Sequence, residues 1–210
     1  ELNTLATFVA ALDVRTGPFR AASIDAARTL DAFGEKVAER LGAPYTPLAP
    51  QSEEQERNDH KRLILGSVRA IREQAGRLQW VLLIAPSEIR FITSDHPVVK
   101  FNPYPPALPW MGNLGWGSPG VQVFLPLSPV VCLCLVDHDE TLGGAYTYSV
   151  EGVMHVNELQ VGFARRFLFA DRTTELDMAE ELMRERPELR TSKFAIVVDT
   201  PVLRDEDQDR

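Results

Sequence analysis

Four small polar or ionisable residues follow an apolar run near the middle of the chain: Thr93, Ser94, Asp95 and His96. The run at residues 89–93 has the composition of a strand, and Pro97 holds the residue before it out of the helical region. Polar groups at the end of a strand commonly build a site, in which Asp95 could be a general base or a metal ligand. The chain lacks a nucleophile elbow, which disfavours Ser94 and His96 as a nucleophile pair. The same residues also fit an Asx-type turn that bonds nearby backbone amides.

The other residues with metal-binding or redox chemistry form weaker patterns. Cys132 and Cys134 are spaced C-x-C inside an apolar run, which is typical of buried thiols. His60 is expected on a charged helix surface and His138 in a solvated acidic turn, whereas His155 could reach Asp95 from a helix start. The chain has no H-E-x-x-H, Walker-type or G-x-G-x-x-G motif. We therefore predict no metal site and leave the cofactor unknown.

The composition is that of a globular protein. The 210 residues are 44% hydrophobic and 25% charged, with a formal net charge of −8. This acidity repels phosphate backbones, so we expect no nucleic-acid binding. The sequence contains no apolar run of about 18 residues, so it predicts no membrane-spanning helix. Low cysteine use and the lack of a signal-peptide pattern favour the cytoplasm, and the oligomeric state stays open.

The first third of the chain has helical patterning. Apolar residues between Leu2 and Leu12 recur at the spacing of one helix face. A second helix is expected from Ser23 as cap to Leu41, with Gly42 following it. The prolines and glutamates of residues 43–57 show no period and predict a linker or loop. A third helix is expected over residues 58–77.

Strand patterns occupy the centre of the chain, and helices return after them. Runs at 79–85 and 89–93 predict a hairpin, and further strands are expected at 98–101, 121–127, 130–136 and 146–149. The run 130–136 is apolar on both faces and is expected at the centre of a sheet. Later segments predict helices at 153–169 and 171–186, a strand or docked tail at 194–198, and a disordered charged tail at 201–210. This order predicts an α+β fold, with a mostly antiparallel central sheet flanked by N-terminal and C-terminal helices. We expect one domain over 1–210, divided into a helical part at 1–42, the linker and a core at 58–200.

A long loop over residues 102–120 carries large aromatic side chains. It contains five prolines and four glycines together with Tyr104, Trp110 and Trp116. Loops of this length often bind or cover ligands, and aromatic residues dominate binding hot spots. We therefore predict substrate binding by these three residues and by Thr93.

Several motifs resemble a bacterial family of unknown function. Residues 91–98 read F-I-T-S-D-H-P-V, which is similar to that family's F-I/L-T-S-D-N-P-V hallmark, and Trp80 lies in a matching W-x-x-L strand. Residues 124–129 resemble its P-L-S-P turn, and Asn157 with Ala164 its N-x(6)-A helix. Residues 8–16 resemble its F-x(6)-R-T-P helix end, with Gly17 in the place of the proline. The family usually has Asn at the position of His96, and its H-Y-V-P opening segment is not found here.

The resemblance adds Arg15 and Asn157 to the candidate site. Arg15 could hold an anion or orient Asp95, and Asn157 could donate to an oxyanion or a substrate carbonyl. Together with Ser94 and His96 they form the candidate catalytic set. The alternative is structural: Arg15 and Asp95 form a buried ion pair while Asn157 bonds the backbone at the sheet end.

Three classes of function remain open from the sequence. The first is an enzyme, a hydrolase or transferase, with its site at residues 93–96. The second is a non-enzymatic module that binds a small-molecule or protein ligand through the aromatic loop. The third is a structural regulatory domain of a longer chain.

Overall fold

The computed structural model of the protein describes residues 2–47, 53–105, 113–137 and 143–187. Within its helices, the side chains of residues 17–28, 53–57, 59 and 60 are not described. Trp110, His138, the expected strand at 194–198 and the tail at 201–210 therefore lie outside the described residues, as does the side chain of His60.

Three helices precede the sheet. They are α1 (Leu2–Val14), α2 (Gly17–Leu41) and α3 (Glu53–Ala75). The C-cap of α2 is Gly42, which has the expected left-handed conformation with φ 61°. The start of α2 was predicted too late: Thr16 takes the N-cap position, and a proline in the first turn suits a helix start. The linker was predicted too long, because residues 53–57 already belong to α3.

Five strands form the main sheet. In chain order they are β1 (Gln79–Ile84), β3 (Val99–Phe101), β4 (Gln122–Ser128), β5 (Val131–Val136) and β6 (Gly144–Thr147). Their spatial order is β3-β4-β5-β1-β6, with every pair antiparallel except β1 and β6. The doubly apolar β5 lies in the middle, as expected. The predicted fold class is confirmed: α+β, with a mostly antiparallel sheet and helices at both ends.

The predicted hairpin between residues 79–85 and 89–93 is wrong. β1 pairs with β5 on one side and with β6 on the other, so both of its edges are used. The second run instead leads into β2 (Thr93–Ser94), which pairs with the short strand β7 (Leu168–Phe169) in a separate ribbon. A turn signal between two apolar runs indicates a reversal of the chain but does not specify which strands pair.

Both faces of the main sheet are covered. On β4 and β5, alternate residues such as Val123 and Leu135 face a cluster with α1 and α3, while Phe124 and Cys134 face the opposite cluster. Cys132 and Cys134 are free buried thiols, and burial raises the pKa of Cys134 to about 12.

Two helices lie after the sheet, α4 (Val150–Phe163) and α5 (Thr173–Glu185). The hydroxyl of Ser149 caps α4 by accepting from the Gly152 amide at 3.0 Å. α4 both starts and ends earlier than predicted. It ends early because the chain leaves the helix at Ala164 and turns into β7. α4 packs on the second sheet face, and α5 packs against α4. No helix in the described part of the chain combines the length and apolarity that crossing a membrane requires.

Candidate functional site

The segment that leads into β2 is fixed to α4 by one side-chain amide. Asn157 accepts from the Ile92 amide at 3.0 Å and donates to the Arg90 carbonyl at 2.8 Å. A carboxamide carries one acceptor and one donor group, so it bonds the backbone as a neighbouring strand would. Asn157 is 3% exposed. Its two bonds match the backbone-bonding alternative from the sequence, and its role as an oxyanion donor stays a prediction.

A second side-chain amide one turn along α4 continues this attachment. Gln160 is fully buried and donates to the Pro97 carbonyl at 2.9 Å. The hydroxyl of Ser94 lies 2.8 Å from Gln160 Oε1 and 2.9 Å from the His96 carbonyl oxygen, and it accepts from the His96 amide at 3.2 Å. The Ser94 hydroxyl thus stabilises both the turn at His96 and the contact of this turn with α4.

Asp95 joins the same segment to the chain after α4. Its two carboxylate oxygens accept from the backbone amides of Arg165 and Arg166 at 2.9 and 3.0 Å, and its own amide donates to the Phe167 carbonyl at 3.1 Å. These contacts stabilise the reversal from α4 into β7. Each carboxylate oxygen keeps a further lone pair, so the roles of general base and metal ligand stay predictions for Asp95.

The structure separates Arg15 from this segment. Arg15 lies exposed at the end of α1, and no ion pair between described residues joins it to Asp95. The buried Arg15–Asp95 ion pair, which the sequence left open as an alternative, is therefore not formed. The sequence placed the pair by motif position, and α1 turns Arg15 towards solvent while Asp13, two residues earlier, faces the core.

A buried charged cluster that the sequence analysis missed is built around Asp13. The Asp13 carboxylate accepts from the Lys100 ammonium at 3.1 Å and from the Trp116 indole N–H at 2.8 Å. The Lys100 nitrogen lies 5.4 Å from the Trp116 ring centroid, and His96 Nε2 lies 3.9 Å from the second carboxylate oxygen. The signal for this cluster was present, because Asp13 follows Ala6 and Val9 on the apolar face of α1.

His96 lies at the centre of the packing between α4 and the Asp13 cluster. It is 2% exposed and stacks on Phe163, with ring centroids 5.6 Å apart. Burial lowers the pKa of His96, helped by the positive charge of Lys100, although Asp13 and Asp95 act in the opposite direction. The imidazole therefore favours its neutral form more strongly in the folded protein than in the unfolded chain.

Acidification is expected to destabilise the protein through His96. The folded-state pKa is lower than the unfolded value of 6.5, so the unfolded chain takes up the proton first. The stability that depends on neutral His96 is fully present above the unfolded pKa and is lost as the pH falls towards the folded pKa. Between about pH 7.5 and about pH 5.5 we expect a loss of at most about 1.4 kcal/mol.

Urea unfolding at both pH values measures this effect, with His96→Asn as the comparison. This variant carries the residue that the resembled family usually has, and its stability is expected to depend less on pH. Equal pH dependence in the two proteins would contradict a neutral buried His96.

Two of the three predicted aromatic binding residues lie in the described part of the chain, and these two differ in exposure. Trp116 is buried in the core by its contact with Asp13, and Tyr104 is 61% exposed beside Gly120. Thr93 is half-buried and lines a small cavity next to the turn between β4 and β5. His155 packs edge-on against Phe101, with centroids 4.6 Å apart, and no described hydrogen bond joins it to Asp95. The binding roles of Tyr104, Trp116 and Thr93 stay predictions.

A cleft between α4 and α5 opens beside the Asn157 contact. Its volume is about 380 Å³, within the range of small-molecule sites. Ile92 and Asn157, which are 1% and 3% exposed, line its most buried part, the inner end. The walls are mainly apolar, with Met154, Val161, Met178, Ala179 and Leu182.

Four glutamates add negative charge to this cleft: Glu158, Glu175, Glu181 and Glu185. Glu175 is 3% exposed, accepting from the Arg90 amide at 3.2 Å and the Thr174 hydroxyl at 2.8 Å. Among the ion pairs between described residues, one involves these four glutamates: Arg186 pairs with Glu158 at 3.5 Å. The cleft therefore combines apolar walls with excess negative charge. No group of three or more His, Cys, Asp or Glu in the described ranges is arranged to hold a metal ion.

Comparison with known proteins places most of the chain in one family. The family model described as "Protein of unknown function (DUF4238)" matches residues 1–174. No curated protein and no solved structure matches the chain. The match covers the sheet, the Asn157 contact and the inner end of the cleft, and stops just inside α5.

Proposed function

Since the chain belongs to the DUF4238 family, whose description assigns no reaction, we propose from its geometry that the protein binds a small cationic molecule with an apolar body in the cleft between α4 and α5. The observation that carries the proposal is the cleft itself: about 380 Å³, apolar walls and four glutamates. Ligand sites typically combine an apolar lining with a few placed polar groups.

The charge of the cleft favours an ammonium or guanidinium group in the ligand. Glu175 supplies a buried carboxylate near the inner end, where water screening is weak. At the outer end Arg186 already sets a guanidinium against Glu158. A ligand cation would make the same kind of contact with Glu181 or Glu185, while its apolar part packs against Met178 and Leu182.

A hydrolase or transferase site at residues 93–96 has less support. Ser94 and Asp95 use their side-chain oxygens in bonds that hold the turn and the helix end. Asn157 uses both amide atoms on the backbone of residues 90 and 92. A binding protein needs these groups only as supports of the cleft, which agrees with the contacts they make.

A pair of fluorescent probes tests the charge preference. Dansylcadaverine carries a terminal ammonium, and dansyl-aminohexanoic acid carries a carboxylate on a similar chain. We expect the amine to bind with a blue-shifted dansyl emission and the acid to bind at least about tenfold more weakly, because carboxylates line the cleft. Equal binding of both probes, or binding of neither, would refute the proposal.

Two pairs of charge-neutralising variants on α5 locate the site. Glu181→Gln with Glu185→Gln removes two charges from the cleft, and we expect roughly 3- to 10-fold weaker amine binding. Asp177→Asn with Glu180→Gln removes two exposed charges from the same helix outside the cleft and serves as the matched control. The cleft proposal requires the first pair to weaken binding more than the second.

A further inference from the structure

A second cavity lies on the other side of the strand that ends at Ser94. It has a volume of about 290 Å³ and lies where β2, β7 and the turn between β4 and β5 meet. Phe91 and Thr93 line it, whereas Ile92 between them lines the cleft beside α4. This alternation follows from the extended backbone, so one short segment forms a wall of two separate cavities.

The rim of the second cavity is unusually apolar for a surface. Four large side chains there are between 39% and 54% exposed: Leu127, Val130, Phe167 and Phe169. The rings of Phe167 and Phe169 lie next to each other, with centroids 6.3 Å apart. An apolar patch around a cavity is typical of a docking surface.

The charge beside this patch is opposite in sign to that of the whole protein. Arg165 and Arg166 are exposed before β7, and Arg172 is exposed after it. Asp171 lines the cavity and offsets one of these three positive charges. The Arg166 guanidinium lies 5.2 Å from the Phe167 ring centroid, so cation and apolar rim are adjacent. The net charge of the chain is −8. The surface therefore suits a segment that combines apolar and acidic residues.

We propose that this surface docks the chain's own C-terminal segment, residues 202–209. That segment begins with Val202, Leu203 and Arg204, and four of its remaining five residues are acidic: Asp205, Glu206, Asp207 and Asp209. The two apolar residues fill the cavity and cover its rim, and the acidic residues face Arg165 and Arg166.

The length of chain beyond α5 permits this contact. The described residues end at Pro187, just after the C-terminal end of α5. The N-terminal end of α5 lies near the cavity, because Asp171, which lines the cavity, lies two residues before this helix. A helix of 13 residues is about 20 Å long. The roughly 14 residues between Pro187 and Val202 can span up to about 45 Å. Tethering gives an effective concentration in the millimolar range, so even weak docking is well populated.

Hydrogen exchange of the full chain tests the docking. Amides of residues 202–207 are expected to exchange at least about threefold more slowly in the wild type than in a Leu127→Ser, Phe169→Ser variant. The matched control, Leu30→Ser with Leu65→Ser, removes two large apolar side chains that are 66% and 71% exposed on α2 and α3, and it should leave the protection unchanged. Far-UV circular dichroism confirms that both variants are folded. Exchange of the wild-type segment at the rate of a free peptide would overturn the proposal.

Two further measurements separate the tethered segment from other occupants. Arg165→Gln with Arg166→Gln keeps the backbone amides that bond Asp95, and it is expected to reduce the protection. Tenfold dilution should leave the protection unchanged, because the contact is intramolecular. Protection that falls on dilution would assign the surface to the segment of a second copy and overturn the tethered contact.

Discussion

Replacing Asp13 by alanine is expected to lower the free energy of unfolding by about 3 to 5 kcal/mol. The carboxylate is 5% exposed and accepts from both the Lys100 ammonium and the Trp116 indole. Its removal leaves an ammonium and an N–H group in the core without an acceptor, and such groups are costly to bury. Urea unfolding followed by tryptophan fluorescence measures the loss.

A double-mutant cycle tells the ion pair from a simple cavity. Lys100→Met removes the charge that Asp13 neutralises, so the double variant is expected to lose less stability than the two single variants together, by at least about 1 kcal/mol. Asp177→Ala, at an exposed position on α5, is the control and should change stability by less than about 0.5 kcal/mol. Additive losses from Asp13 and Lys100 would mean that the two side chains do not interact energetically.

The Asp13 cluster marks a limit of what the sequence could predict. The aspartate was visible as one charged residue on an apolar helix face. Its partners, however, are 87 and 103 residues away along the chain. Such separations carry no local period, so the convergence of Lys100 and Trp116 on α1 depends on the complete sheet.

Local patterns with a single structural solution were predictable. The apolar run of β5 required neighbours on both edges and cover on both faces, and Gly42 fitted the left-handed position after α2. Alternation along β4 and β5 also distributes their residues between the two core clusters. Each of these features follows from backbone geometry together with the burial of nearby side chains.

The candidate site was predictable in composition but only partly in geometry. Ser94, His96 and Asn157 all lie along the interface with α4, but each has its own partner there: Ser94 bonds Gln160, His96 stacks on Phe163 and Asn157 bonds the Ile92 amide. The side-chain polar atoms of Ser94 and Asn157 hold backbone in place, a role that residue type alone does not distinguish from catalysis. The cleft was not predicted, because it depends on how α5 lies against α4.

Asn157 gives the most direct test of whether this polar layer is structural. Replacing it by leucine, which has a similar volume, is expected to lower the free energy of unfolding by about 2 to 4 kcal/mol. The variant leaves the Ile92 amide and the Arg90 carbonyl without their partner in a buried place. Asn58→Leu, at an exposed position on α3, is the matched control and should be nearly neutral.

The amide of Ile92 reports the mechanism of that loss. In the wild type it donates to Asn157 and is expected to exchange slowly, whereas in the leucine variant it should exchange faster than amides of the main sheet, such as that of Leu133. If Asn157 served substrate rather than backbone, the leucine variant would unfold like the wild type and Ile92 would stay protected. A fall in stability with faster exchange at Ile92 would instead identify Asn157 as the residue that fixes this segment to α4, and with it the inner end of the cleft.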